Sequence, residues 1–287
     1  MSSAVPTLFE IVLGTLDELG QVVYGMATDG ATTTLIDSGL TGKKDDIYKG
    51  GTAFLTYDAG AASAAPEGEF AEVTAYADST GTLTTVWTVA PVAGDFYALA
   101  MPDWSLDEMI GLVNRALVRM GPVPQEDTSL TTAASTTEYT LPAATRGGLR
   151  RVYMDLYASG TDSRPQELTD WVKPTGSVLR FRTQPASGNT LLLVYMAPHA
   201  ALDLFDDTLS PYVPLRRIIA ETTFLALRTR ARQGGDRDIK QAFNDAADDL
   251  EVARKMFPIY DPGTPFKPIL KGKRRGDRRR KYGQYYT

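Results

Sequence analysis

Apolar residues recur at helical spacing most clearly in residues 210–257, a pattern that predicts two antiparallel helices joined at Gly234-Gly235. Ser210 is expected to cap the first helix, and Asp236 is expected to cap the second. The buried face of the first helix is expected to contain Leu215, Ile218, Ile219, Thr222 and Leu225. The narrower apolar seam of the second helix is expected to contain Ile239, Phe243, Ala246, Leu250, Ala253 and Phe257.

Two further stretches have the same periodicity and predict single helices. Residues 7–19 form one of them, which ends at Gly20, and residues 104–120 form the other, which ends at Gly121. Ser105 and Glu108 fit a capping box at the start of the second helix, because a serine side chain there can accept a hydrogen bond from a free backbone N–H.

Between these two helices the chain alternates short β-prone runs with turns, which is typical of a small all-β sandwich or barrel. The strands are expected at 32–36, 52–57, 69–75, 82–87 and 95–100. A second β-rich region follows, with strands expected at 137–141, 149–157, 178–183 and 190–196. Residues 186–189 read Ala-Ser-Gly-Asn and predict the turn of a hairpin between the last two strands.

Together these elements predict an α+β fold with a helical core, a long C-terminal helical pair, a small antiparallel β part, an inserted all-β module and an extended C-terminal tail. Residues 1–21 and 103–257 would form the core of helices and strands. Residues 22–102 would form the inserted sandwich or barrel. Four prolines favour an extended path through residues 258–287, which form a basic arm.

The composition narrows the class of protein. An apolar share of 43% in 287 residues is enough for a buried core, and the absence of cysteine excludes disulfides and thiolate metal sites. The first residues lack the basic segment of a signal peptide. No apolar run approaches the roughly 18 residues needed to span a bilayer. We therefore expect no signal peptide and no membrane partner.

Charge is strongly segregated along the chain. Residues 267–281 contain nine Lys/Arg and one Asp, a net charge of +8, whereas the rest contains 21 basic and 34 acidic residues, a net charge of −13. Such a basic segment predicts binding to phosphates or to an acidic protein surface, and a solvated tail without a partner is the alternative interpretation. The residues expected to bind a partner are Lys267, Lys271, Lys273, Arg274, Arg275, Arg278, Arg279, Arg280, Lys281, Tyr282, Tyr285 and Tyr286.

No catalytic constellation is evident, so we expect no enzyme activity, no cofactor and no bound metal. His199 is the one histidine and has no cysteine or second histidine to act with, which favours a structural role. The acid pairs Asp45-Asp46, Asp206-Asp207 and Asp248-Asp249 are expected to be surface charge, although a loop pair could bind Mg²⁺ or Ca²⁺ weakly. The sequence contains neither a phosphate-binding glycine loop nor a GxSxG elbow.

The order of these parts resembles the head-to-tail connector, or adaptor, proteins of tailed bacteriophages. The features that carry the resemblance are the N-terminal helix, the helix 104–120, TEYTLP at 137–142, LRRVY at 149–153, the hairpin expected between LRF at 179–181 and LVY at 193–195, the closing helical pair and the C-terminal tail. The resemblance covers about residues 1–21 and 103–287. Residues 22–102 depart from the simplest members, which lack such an insert, although similar small β modules occur in other virion proteins.

This resemblance implies a structural virion protein, assembled in the host cytoplasm, that joins the phage head to the tail. Such proteins form a ring beneath the portal, commonly of twelve copies, contact a tail or neck protein below, and dock their C-terminal tails on the portal protein. Double-stranded DNA would pass through the ring without specific binding, because acidic walls repel phosphates. Two alternatives stay open: another neck or tail component (a stopper, terminator or tail-tube protein), and a nucleic-acid-binding protein that uses the basic arm.

Overall fold

The structure is a computed structural model, and it describes residues 5–59, 67–155, 165–234 and 237–259. The α-helices of this described part are α1 (Leu8–Glu18), α2 (Leu106–Met120), α3 (Leu215–Arg232) and α4 (Arg237–Met256). Between α1 and α2 lie β1 (Val22–Met26), β2 (Asp29–Ala31), β3 (Thr34–Ile36), β4 (Thr52–Tyr57), β5 (Phe70–Glu72), β6 (Ala75–Ala77), β7 (Thr82–Thr84) and β8 (Phe96–Ala100). Between α2 and α3 lie β9 (Val123–Thr131), β10 (Glu138–Thr140), β11 (Leu149–Asp155), β12 (Pro165–Leu168), β13 (Trp171–Thr175), β14 (Val178–Phe181) and β15 (Thr190–Ala197).

The expected fold class, a helical core with a small β part, is wrong. Helix accounts for about 30% of the described residues and strand for about 31%, and the strands form four antiparallel sheets. The pattern analysis missed strands β1, β2, β9, β12 and β13. The sequence of β9, VPQEDTSLT, shows why: it is largely polar, and its strand conformation depends on pairing at the edge of a sheet rather than on local propensity.

The described residues fall into two compact units. The first comprises residues 5–125 and 196–259, and it contains all four helices and strands β1 to β8. The second comprises residues 126–195. Residues 22–102 belong to the first unit together with the helices.

Two four-stranded sheets in the first unit have the strand orders β1-β8-β4-β5 and β2-β3-β7-β6. They share a buried apolar cluster to which the first sheet contributes Leu55 and Leu99 and the second contributes Leu35 and Leu83. The other face of the first sheet is also buried. Phe54, Ala98 and Ala100 lie there, in the cluster formed with α1, α2 and α3. Because successive side chains on a strand point to opposite faces, the first sheet is a middle layer between the helices and the second sheet.

A buried hydrogen bond connects the middle sheet to the 3₁₀ turn Ser38–Leu40. The Tyr97 hydroxyl donates to Asp37 Oδ2 at 2.5 Å, and Asp37 Oδ1 accepts from the backbone N–H of Gly39 at 2.7 Å. Burial, followed by the contact with Asp37, raises the pKa of Tyr97, so this hydroxyl stays a donor. The neighbouring residue Gly25 makes the arrangement possible, because a Cβ there would lie 2.3 Å from the Tyr97 hydroxyl oxygen.

The predicted hairpin between residues 178–183 and 190–196 is wrong. Strand β14 lies in the sheet β10-β14-β13, whereas β15 lies in the sheet β12-β11-β15-β9. The turn itself is present, with Gly188 at a φ of +83°. Thr132 holds it, because its hydroxyl donates to Ala186 O at 2.7 Å and its carbonyl accepts from Gly188 N at 2.8 Å. The two strands therefore leave this anchored turn toward different sheets.

The start of α3 also differs from the expectation. Helix α3 begins at Leu215, Pro214 is its N-cap, and no side chain caps it. The Ser210 hydroxyl donates to Pro124 O at 2.7 Å and accepts from the backbone N–H of Tyr212 at 3.4 Å, in the turn before the helix begins. At α2 the cap prediction is confirmed, since Ser105 Oγ accepts from the backbone N–H of Glu108 at 3.2 Å. Gly235 and Asp236, expected at the next helix boundary, lie outside the described residues.

Tyr76 predicts a loss of stability at high pH. This side chain is 3% exposed, its hydroxyl donates to Leu40 O at 2.6 Å, and burial followed by the contact with Asp78 raises its pKa to about 12. An unfolded tyrosine ionises near pH 10, so above that pH the unfolded state holds fewer protons than the folded state. The free energy of unfolding should therefore fall as the pH rises from about 10 to about 12.

Urea unfolding at a series of pH values measures this slope. Tyr76→Phe should make the decline shallower, because the raised pKa is removed with the hydroxyl. Tyr57→Phe is the matched control, since Tyr57 is 53% exposed. Equal slopes for the wild type and Tyr76→Phe would contradict the expectation.

Candidate interaction site on the helical pair

The residues that the sequence analysis expected to bind a partner, from Lys267 to Tyr286, all lie outside the described residues. The extended path expected for the arm lies outside them too, apart from its first two residues. The described part of the chain reaches Ile259, three residues after α4. The structure therefore describes the surface next to the start of the arm, which consists of the pair α3–α4 and the adjacent helix α1.

A buried carboxylate links three of the helices. Glu221 on α3 is 1% exposed and forms ion pairs with arginines from α2, α3 and α4. Its Oε1 atom accepts from Arg254 Nη2 at 2.7 Å and Nε at 3.0 Å, and it lies 3.0 Å from Arg217 Nη2. Its Oε2 atom lies 3.9 Å from Arg119 Nη1, close enough for an ion pair but too far for a hydrogen bond. Helices α2 and α4 are thereby held at defined positions on α3.

The three arginines differ in how far they reach into water. The side chain of Arg217 is only 13% exposed, whereas those of Arg119 and Arg254 are 35% and 45% exposed. Burial lowers the pKa of Arg217, Glu221 opposes that effect, and nearby Arg254 adds to it. Arg217 therefore depends most on Glu221, because it is the guanidinium with the least access to water.

Two cation–π contacts brace the same helices. The Arg119 guanidinium lies 5.4 Å from the centre of the Phe224 ring, and the Arg230 guanidinium lies 4.3 Å from the centre of the Trp104 ring. Arg230 also lies 3.7 Å from Glu108 at the start of α2. Such contacts contribute on the order of 0.5–1 kcal/mol each when partly exposed. They stabilise the packing of α2 against α3 at both ends of the contact.

An open groove runs along the other side of α3. One cavity of about 510 Å³ lies between α3 and α4, and a second of about 400 Å³ lies between α1 and the start of α3. The two cavities adjoin, because Glu18, Arg216 and Ile219 lie in the walls of both. We call them together the α1/α3/α4 groove. All of its wall residues belong to the first compact unit.

The groove combines an apolar floor with an acidic rim. Its floor includes Ile219, Ala246 and Ala253, which are all buried, and its wall includes the exposed apolar side chains Val252 and Phe257. The charged wall residues are five acids and one arginine, a net charge of −4: Glu10, Asp17, Glu18, Asp245, Asp249 and Arg216. Apolar surface bounded by charges of one sign is typical of a protein interaction site.

The acids of the rim differ in how their charge is balanced. Glu18 pairs with Arg216 at 2.7 Å, and Glu10 accepts from the backbone N–H of Thr7 at 2.9 Å. Asp17, Asp245 and Asp249 form no ion pair with any described Lys or Arg within 4.0 Å. The groove therefore offers at least three carboxylates to a cationic ligand.

Much of the net negative charge lies in the N-terminal part of the chain, which contains α1. Residues 1–102 contain 13 Asp/Glu and three Lys, a net charge of −10, and they contain no arginine. Among their described residues, α1 supplies three groove acids, and most of the remainder lie in the turns and loops that connect the strands of the first unit. The middle sheet packs directly on the helices, so this acidic part is fixed relative to the groove.

His199 serves a structural role. Its Nε2 atom accepts from the backbone N–H of Ser210 at 2.9 Å, and its Nδ1 atom lies 2.7 Å from Ala200 O. The ring is therefore the neutral form protonated on Nδ1, with both nitrogens engaged by backbone groups. A general base would need a free nitrogen facing a substrate.

Two of the three acid pairs accept hydrogen bonds from backbone N–H groups. Asp45 and Asp46 accept from the backbone N–H groups of Asp78 and Tyr76, and Asp207 accepts from those of Asp203 and Leu204. The latter two hydrogen bonds lower the pKa of Asp207. Within the described ranges, no group of three or more His, Cys, Asp or Glu residues is placed to hold a metal ion.

Sequence reasoning missed Glu221 and the groove. The one available signal for Glu221 was its position between Ile218 and Thr222, on the face expected to be buried. A charged residue in that position requires a buried partner. The groove gave no signal, because its walls combine the α3–α4 pair with α1, which lies near the other end of the chain.

Replacing Glu221 should destabilise the helical pair. Glu221→Gln removes the only acid among the four charged groups and leaves Arg217 buried without a counter-charge, so we expect a loss of about 3 kcal/mol in the free energy of unfolding. Urea unfolding measures it. The matched control is Glu251→Gln, which breaks the exposed pair with Lys255 and should change the free energy of unfolding far less. Equal losses for the two variants would show that the buried carboxylate is not the organising contact.

No helix among the described residues is long and apolar enough to cross a membrane. In comparisons with known proteins, the chain matches no protein-family model and no curated protein sequence. The features of the chain that bear on its function are therefore the order of its parts, the segregation of charge, and the geometry of the α1/α3/α4 groove and the helical pair.

Proposed function

We propose that this chain is a structural virion protein that assembles as a ring and joins the head of a tailed bacteriophage to its tail. The observation that carries the proposal is that a braced helical pair is followed, after a short proline-containing connector, by a segment with a net charge of +8. The Glu221 contacts make the pair a rigid base, and the arm that continues from it is suited to bind a second protein. In the proposed ring the arm binds the portal protein, and a neck or tail protein binds below.

The acidic part of the chain supports a role beside DNA that does not involve binding it. Affinity for DNA comes from the neutralisation of phosphates by Lys and Arg. Residues 1–102, with a net charge of −10, oppose such contacts and suit a channel wall past which DNA slides. The resemblance to connector proteins, which rests on the order of helices, strands and tail, points in the same direction.

A nucleic-acid-binding protein is the second candidate, and the basic arm is the observation that favours it. The arm alone could neutralise several phosphates. The rest of the chain opposes this role, because its net charge of −13 would repel the same duplex. Binding to duplex DNA with a steep dependence on salt would favour this candidate over the connector.

Deletion of residues 267–287 tests the role of the arm. We expect the shortened protein to keep its circular dichroism spectrum and to lose attachment to portal-bearing heads, because the removed residues carry the proposed contacts. Co-sedimentation with purified heads measures the attachment. A control variant with the same length and with its nine arm Lys/Arg residues changed to Gln separates charge from length. Undiminished attachment of the deleted protein would refute the assignment of the arm.

The mass of the assembled particle tests the ring. Mass photometry, followed by class averages from electron cryo-microscopy, should show a closed ring, commonly of twelve copies in the proteins that this chain resembles, or a monomer that forms the ring only on heads. A sixfold ring would instead favour a component on the tail side. A monomer that binds neither heads nor tails would contradict the proposal.

A further inference from the structure

The α1/α3/α4 groove lies where the chain continues into its own basic arm. Phe257 forms part of the groove wall, and Ile259 packs against the apolar cluster of the helices. The first basic residue of the arm, Lys267, follows eight residues later. The arm is therefore tethered to the groove by a short, proline-containing connector.

The connector is long enough for the arm to return along α4. Asp249 and Asp245 precede Phe257 by eight and twelve residues on or beside this helix, which corresponds to about 12 and 18 Å along the axis. The eleven residues 260–270 span up to about 34 Å in an extended proline-rich conformation. The basic residues can thus reach the whole acidic rim without strain in the connector.

The chemistry of the arm complements that of the groove. The groove wall has a net charge of −4, and the arm has a net charge of +8. The arm also carries tyrosines at 282, 285 and 286, whose rings can cover the apolar floor while their hydroxyls stay in water. Because the arm is tethered, its effective concentration at the groove reaches the millimolar range, so even weak pairing would fill the site.

We propose that the α1/α3/α4 groove is a docking site for residues 267–287 of the same chain. In the free protein the arm lies back in the groove, with its Lys and Arg side chains against Asp245, Asp249 and Asp17. The interaction is electrostatic at an open surface, so it weakens as salt rises. The inference does not depend on the virion role. If that role holds, the arm has to leave the groove before it binds a partner, which makes the groove a holding site that delays premature assembly.

The absence of native cysteine allows a direct test in the full-length protein. One variant combines Asp249→Cys in the groove wall with Gly276→Cys in the middle of the arm. The matched control combines Asp248→Cys with Gly276→Cys. Asp248 is the neighbouring residue of the same type, is exposed, and lies about 100° around the helix from Asp249, outside the groove wall. Mild oxidation followed by non-reducing electrophoresis detects the disulfide.

We expect the Asp249→Cys variant to form an intramolecular disulfide roughly tenfold faster than its control at low salt, and the difference to shrink at about 1 M salt. Equal rates for the two variants would overturn the proposal. A disulfide-linked dimer from the Asp249→Cys variant alone would also overturn it, because the occupant would then be the arm of a second copy. Neither result needs phage heads, so failure here is distinct from failure of the virion role.

Proteolysis gives a second readout without new cysteines. The arm contains eight trypsin-sensitive bonds, because Lys267 precedes a proline, and docking should slow their cleavage. The variant Asp245→Asn/Asp249→Asn should release the arm and speed cleavage several-fold at low salt, whereas Asp248→Asn should not. Cleavage that is equally fast in the wild type and in both variants would mean that the arm does not occupy the groove.

Discussion

The burial of one carboxylate on α3 sets where the neighbouring helices can lie. Glu221 has almost no contact with water, so its charge must be balanced by protein groups. The guanidinium groups that do so come from α2, α3 and α4, and two of them keep part of their surface in water, which limits the desolvation cost. A large shift of α2 or α4 would remove Arg119 or Arg254 from the carboxylate, which would then depend on Arg217 of its own helix. The same contacts fix the positions of α3 and α4, which form two walls of the α1/α3/α4 groove.

The middle sheet has a comparable role for the acidic part of the molecule. Its strands β4 and β8 bury one face against the helices and the other against the second sheet. The middle sheet therefore packs directly on both the helices and the second sheet. Some acids of this region, including Asp37, Glu69 and Asp95, are buried and accept internal hydrogen bonds, whereas others lie on its surface. The basic residues lie at the other end of the chain, beyond a proline-containing connector. One chain thus combines a rigid acidic surface with a tethered cationic segment.

Periodicity predicted the faces of single helices, because residues such as Ile218 and Leu225 follow the helical repeat whatever they pack against. It did not predict the partners of those faces. The pairing of Glu221 could not be predicted, because two of its partners, Arg119 and Arg254, are distant in sequence. The turn at Gly188 was recognisable, but its link to Thr132, which sends the flanking strands to different sheets, was not. The apolar run of β8, FYALA, did contain a signal of two-sided burial. The fold class was wrong because strands such as the polar β9 gave no local signal.

The close approach of Gly25 to the Tyr97 hydroxyl restricts the order in which this region can change during evolution. A side chain at position 25 would collide with the tyrosine, and a smaller residue at position 97 would leave Asp37 without its buried donor. The three positions are therefore coupled, with effects that do not add. A viable route changes Asp37 and Tyr97 before Gly25. Among related sequences the three positions should covary, with glycine retained wherever the tyrosine–aspartate pair is kept.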